Sequence, residues 1–117
     1  QSPGALAAAP ASNAVPWNAV RVVLPDDRVV MLARSELGAF AGSIDMLIGA
    51  ATLAQPLREP ASIRIELGRD GQPLGVLELG ETEVRWTADS AGAARGTVGR
   101  PEPVLLRALR QALLRRP

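Results

Sequence analysis

No cysteine, histidine, lysine or tyrosine occurs anywhere in these 117 residues, and the absences remove whole classes of chemistry. Without cysteine there is no disulfide and no thiolate metal ligand. Without histidine, Ser-His-Asp and Cys-His sites are excluded within one chain, and so are zinc sites built on imidazole. Without lysine, Schiff bases and Ser-x-x-Lys sites go too. The reactive groups that remain are carboxylates, six serines, four threonines and arginine. Paired carboxylates can cleave glycosides, so a carboxylate-dependent hydrolase is the one enzymatic alternative, and no spacing in the chain marks such a pair. The expectation is a protein that is not an enzyme and takes no cofactor or metal.

Aromatic residues are almost as scarce: Trp17, Phe40 and Trp86 are all there are. Every one of the 13 basic residues is arginine, set against 12 acidic ones for a net charge of +1. Such a balance creates no global field to recruit nucleic acid or an acidic membrane. The arginine-only usage, beside abundant Ala, Gly and Pro, reads as codon bias of a GC-rich bacterial genome. No apolar run approaches the roughly 20 residues of a membrane span. The expected partners are therefore another protein or a second copy of this chain, with no nucleic acid and no direct membrane span.

What the chain does have is a legible meander over Ser62–Thr87. Ile63, Ile65 and Leu67 alternate with Arg64 and Glu66, the period of a strand with one buried face. Two hairpin registers compete at the first turn. A two-residue Asp70-Gly71 turn pairs Arg69 with Gln72; a three-residue loop with Gly71 left-handed pairs Gly68 with Gln72 and sets Leu77 opposite Ile63. At the second turn, Gly80-Glu81 suits a type II′ geometry, pairing Leu79 with Thr82, Leu77 with Val84 and Gly75 with Trp86. Only the three-residue first loop then makes one apolar face continuous. That face holds Ile63, Ile65, Leu67, Leu77, Leu79, Val84 and Trp86, with the Trp86 indole over the bare Gly75. Arg64, Glu66, Leu74, Val76, Glu78, Glu83 and Arg85 fall on the other face, with Glu78 facing Glu83.

The rest of the chain is placed around this meander. Residues 1–16, rich in alanine and proline, read as a flexible arm, and 17–117 as a single domain. Ala19–Leu24 and Arg28–Leu32 are β-branched runs joined by Pro25-Asp26-Asp27, a type I turn signal. Both strands are apolar enough to be covered on two faces or central in a sheet. From an N-cap at Ser35, Glu36–Leu53 reads as a helix burying Leu37, Phe40, Ala41, Ile44, Leu47, Ile48 and Ala51. Gly38, Gly42 and Gly49 stripe its far side and suggest close approach of another backbone. Residues 88–100 read as loop, and Val104–Arg116 as an amphipathic helix with Pro101 and Pro103 near its first turn. The fold class is α+β: a mainly antiparallel sheet of about five strands, order β-β-α-β-β-β-α, with two helices packed on one face.

These features mark three candidate sites. A partner surface is expected on the meander's second face (Arg64, Leu74, Val76, Glu78, Glu83, Arg85) or on the glycine stripe (Gly38, Gly42, Gly49), because surplus outward apolar surface marks interfaces. A pocket for a small apolar ligand is the alternative, lined by Phe40 and Trp86. A weaker anion site is expected at Arg95, Gly96, Gly99 and Arg100, where backbone amides could cradle a charge ahead of the last helix. The functional expectation is a small non-catalytic protein-binding or assembly module of the bacterial cell envelope. The chain begins with Gln1, and its arm has the composition common just after bacterial export signals. A periplasmic or secreted location is therefore expected, with a signal or anchor removed before Gln1; the alternative is cytoplasmic.

Overall fold

The computed structural model describes residues 15–55, 57–88 and 96–115, so the arm reading for residues 1–14 lies outside the described residues. Six strands form one antiparallel sheet: β1 (Ala19–Val23), β2 (Val29–Ala33), β3 (Ile63–Arg69), β4 (Gln72–Leu79), β5 (Val84–Ala88) and β6 (Gly96–Gly99), in the spatial order β2-β1-β3-β4-β5-β6. Three helices complete it: α1 (Arg34–Leu37), α2 (Ala39–Ala50) and α3 (Pro103–Leu114). The α+β class is as the sequence implies, with one strand more than expected. That strand, β6, reads as loop from the sequence because only Thr97 and Val98 separate its glycines.

The sheet's inner face is continuous. Val20, Val22, Leu32, Ile63, Ile65, Leu67, Leu77, Leu79 and Val84 are buried there, and they form one cluster with Ile44, Leu47 and Ile48 of α2 and Leu106, Leu109 and Leu113 of α3. Both longer helices therefore cover the same face. The outer face carries no helix among the described residues. Among the described residues, no helix is long and apolar enough to cross a membrane.

The meander's faces come out as the alternation dictates, by a different route. Asp70 (φ 51°) and Gly71 (φ 85°) form a two-residue turn with both central residues left-handed, and Arg69 pairs with Gln72. A bulge beside Gly68 then shifts the ladder so that Leu67 faces Gly75, Ile65 faces Leu77 and Ile63 faces Leu79. The physical reason is Pro73, which has no N–H to give a regular ladder and belongs at a bulge or an edge. Asn18 holds the turn from outside: its Nδ2 donates to Asp70 Oδ1 at 2.9 Å, and its Oδ1 accepts from Asp70 N at 3.3 Å. The residue left over by the bulge is Leu74, which packs half-buried against the core. It does not sit on the outer face as expected.

The second turn differs by two residues. Leu79 pairs with Val84 and Leu77 with Trp86, and Gly80 N donates to Glu83 O at 2.8 Å. Gly80 is not among the positive-φ glycines; its bareness serves Glu59, whose Oε1 would lie 2.5 Å from a Cβ there. The indole of Trp86 still covers Gly75, now diagonally, since a Cβ on Gly75 would collide with the six-membered ring.

The expected single helix is broken at Gly38, whose φ of 59° and ψ of −128° lie where only glycine is comfortable. Ser35 is not the cap; Ala33 precedes the first helix, and its N–H donates to Glu36 Oε1 at 2.7 Å. On α2, Gly42 and Gly49 are exposed beside Met46, and beyond the chain neighbours and the helix's own backbone nothing lies within 4 Å of where a Cβ would be at either glycine. Among the described residues, the expected approach of another backbone does not occur. Replacing Gly42 with alanine should therefore stabilise the protein by about 0.5–1 kcal/mol through helix propensity alone, read as a higher midpoint in urea with an unchanged slope.

Candidate functional site

Both longer helices pack on the inner face of the sheet, which leaves its outer face uncovered by them. Alternation along each strand assigns to it Ala19, Arg21 and Val23 of β1, Val29, Met31 and Ala33 of β2, Arg64 and Glu66 of β3, Val76 and Glu78 of β4, and Arg85 and Thr87 of β5. The chain puts charges in its middle and apolar side chains toward β2. Glu66 Oε1 lies 3.1 Å from Arg21 Nη1, Glu66 Oε2 lies 3.4 Å from Arg64 Nε, and Glu78 Oε1 lies 3.9 Å from Arg85 Nη1. Arg64 is also the cross-strand neighbour of Glu78. Pairs this exposed contribute little to stability. Their effect is to keep the face close to neutral while offering charges of both signs to anything laid on it.

Two shallow grooves run across this face. One, of about 240 Å3, is lined by residues that include Arg21, Met31, Glu66, Gly71 and Pro73. The other, of about 260 Å3, is lined by residues that include Arg64, Glu66, Val76, Thr87 and Ala88. They share Glu66, Leu67 and Pro73, so the bulge that Pro73 imposes separates two halves of one depression. Each is smaller than a typical small-molecule pocket of roughly 300–1,000 Å3. Of the residues expected on this surface, Arg64, Val76, Glu78 and Arg85 are on it.

Glu83 is not. Its register partner is no strand residue, and it is 2% exposed, so the expected confrontation with Glu78 does not occur; Glu78 faces Arg85. Glu83 instead ties three segments together. Its Oε1 accepts from Arg58 N at 3.2 Å and its Oε2 pairs with Arg100 Nε at 3.3 Å. Glu59 completes the tie from the other side, accepting from Thr82 N at 2.8 Å, Thr82 Oγ1 at 2.5 Å and Glu83 N at 3.0 Å. No feature of the local sequence singles out Glu59, because all of its partners lie more than 20 residues away.

These contacts, the Thr82 hydroxyl first and its N–H next, hold the Glu59 carboxyl below its ordinary value of 4.5. A group depressed on folding stabilises fully above the unfolded value, and that contribution fades as pH falls through the folded one. Glu59→Gln should therefore be less stable than the parent at neutral pH and lose less stability on acidification below about 4.5. Thermal melts along a pH series read the difference; parallel loss in both proteins would exclude Glu59 as a source of the acid sensitivity.

The remaining candidates separate. Arg95 lies outside the described residues. Gly96 and Gly99 belong to β6, whose ladder pairs them with Thr87 and Val84, and Arg100 is engaged by Glu83; no anion cradle forms from these described residues. Phe40 and Trp86 are half-buried against the core and line none of the clefts described here. A third cleft, of about 360 Å3, lies between Glu59, Ser62, Glu81 and Arg110, where Arg110 Nη2 donates to Ser62 Oγ at 3.1 Å. Among the described residues no three acidic side chains converge as a metal site requires. No protein-family model, curated protein or solved structure matches the chain.

Proposed function

We propose that this chain is a small non-catalytic protein-binding module, and that its partner lies along the outer face of the sheet. The observation that supports the reading is the pair of grooves meeting at Glu66, Leu67 and Pro73 on the face opposite both longer helices. An open, shallow, mixed surface of this kind suits the side chains of another protein better than an enclosed small molecule. The apolar elements are Met31, Pro73, Val76 and Ala88; Arg21, Arg64 and Glu66 supply charge on either hand. The residue inventory, without histidine, cysteine, lysine or tyrosine, fits binding more readily than catalysis. An envelope location belongs to the same proposal and rests on the alanine- and proline-rich composition of the first 16 residues.

The test is site-specific photocrosslinking in extracts of the source cells. A photoreactive residue at Val76 should capture one defined protein, and charge reversal by Glu66→Arg should abolish that capture. The same probe at Gly49, on α2, should not capture it. Equal capture from Gly49, or capture indifferent to Glu66→Arg, overturns the reading.

A further inference from the structure

The two edges of the sheet are treated differently. At β6 the chain closes its own edge: Leu53 N donates to Val98 O at 2.9 Å and Val98 N donates to Leu53 O at 2.7 Å. At β2 the described chain offers no such cover. The bonds Leu24 N to Arg28 O and Arg34 N to Asn18 O flank the β1–β2 ladder, and their spacing directs Val30 and Leu32 toward β1. The backbone groups of Val29, Met31 and Ala33 then point away from the sheet. Glu36 Oε1 takes the Ala33 N–H, which closes one end. The open stretch is Val29 and Met31, residues that are 45% and 73% exposed and whose side chains lie on the outer face.

Edge strands in monomeric proteins are ordinarily blunted by charge, proline or a bulge. β2 has none of these: its sequence is Val-Val-Met-Leu-Ala and its register against β1 is regular. We infer that β2 pairs with β2 of a second copy about a two-fold axis, joining two sheets into one antiparallel sheet. Self-pairing is the favoured occupancy because the strand is self-complementary. With Val30 opposite its counterpart, Val29 of each copy meets Met31 of the other, and their two outward N–H and two outward C=O groups form four mutual hydrogen bonds. No charge lies within the strand to oppose its like, and a net charge of +1 gives the copies little long-range repulsion. The inference uses the sheet edge and does not require a partner on the outer face.

The experiment is sedimentation equilibrium of the full chain from micromolar to submillimolar concentration. A monomer–dimer equilibrium is expected, weakened at least about tenfold in Met31→Pro. That variant deletes an outward N–H and costs no bond to β1, so circular dichroism and melting should show it folded. A second variant tests the register. At the centre of the pairing the two Val30 residues form a non-hydrogen-bonded pair, about 4.5 Å apart at Cα, within disulfide reach. The parent has no cysteine, so Val30→Cys should give a covalent dimer on mild oxidation, and Met46→Cys on α2 should not. A chain monomeric throughout overturns the inference, as does association unchanged by Met31→Pro. Capture of an unrelated extended peptide at β2 by a monomeric chain would overturn it too, by giving the edge to a different occupant.

Discussion

Gly99→Ala should destabilise the protein by about 3 kcal/mol or more, at the upper end of what adding one methyl to a packed interior costs. The reason is what the methyl would meet. A Cβ on Gly99 would overlap Ala50 O and sit 2.5 Å from Ala50 C and 2.9 Å from Ala51 Cα. All three are backbone atoms at the C-terminal end of α2, so no side-chain rotation relieves the clash. Either β6 or the end of α2 must move by about an ångström to restore ordinary contact. Neither is free to do so, because Val98 is tied to Leu53 on one side and Arg85 pairs with Val98 on the other. The melting temperature should fall by about 10 °C or more. Gly96→Ala, three residues earlier, is the internal comparison. There the added methyl meets the Arg85 side chain and the Thr87 hydroxyl, which can shift, and the loss should be smaller. Equal effects at the two positions would mean that the α2–β6 approach is looser than the structure has it.

The same contrast shows what the sequence makes legible. The buried faces of the meander follow from the alternation of Ile63, Ile65 and Leu67 and of Leu77 and Leu79, since any arrangement that buried fewer of them would lose the main stabilising term. The register does not follow, because it is set by groups remote in the chain: Asn18 clamps the Asp70-Gly71 turn, and Glu59 clamps the turn at Thr82. A local reading sees only the turn residues, and at Gly80 it assigns a positive φ to a glycine that is small for a different purpose. Of the meander's turn residues, Pro73 does carry a local signal, the missing N–H that demands a bulge. The helix break at Gly38 has one as well, since glycine there permits a backbone that alanine would not.

The candidate site is legible to the same depth. Arg64, Val76, Glu78 and Arg85 share the outer face because the register that buries Leu77 and Leu79 beside Ile63 and Ile65 puts them there, and the bulge beside Gly68 restores that register. Glu83 is misplaced by a local reading because two residues of turn length separate a solvated strand position from a buried link to Arg58 and Arg100. The open edge at β2 is hidden by its own composition. Val29, Val30, Met31 and Leu32 look like a strand buried on both faces, and apolar side chains alone do not distinguish a strand covered by its own protein from one awaiting a partner.

Trp17→Ala should be the most damaging single substitution outside the sheet, at about 3–5 kcal/mol, a large part of the stability of a domain this size. Trp17 is 2% exposed and stands just before β1, where it joins elements that are otherwise distant. Its Nε1 donates to Asp45 Oδ1 of α2 at 2.7 Å. The guanidinium of Arg34, in α1, lies 4.3 Å from its ring and pairs with the other oxygen of Asp45. Arg34 Nη1 also donates to Trp17 O at 3.4 Å. One indole thus fills part of the core and supplies the platform on which the two helices meet the first strand. Trp17→Phe separates the contributions: it keeps most of the packing, leaves Asp45 Oδ1 without its donor, and should cost only about 1–2 kcal/mol. The residual Trp86 fluorescence decides whether the damage is local. In Trp17→Ala at low temperature Trp86 should keep its native emission, because it lies on β5, three strands from β1, and packs on Gly75 of β4. The melting transition should then come on the order of 15 °C earlier. A Trp17→Ala protein that melts within a few degrees of the parent would show that α2 and α3 hold the sheet without this cluster.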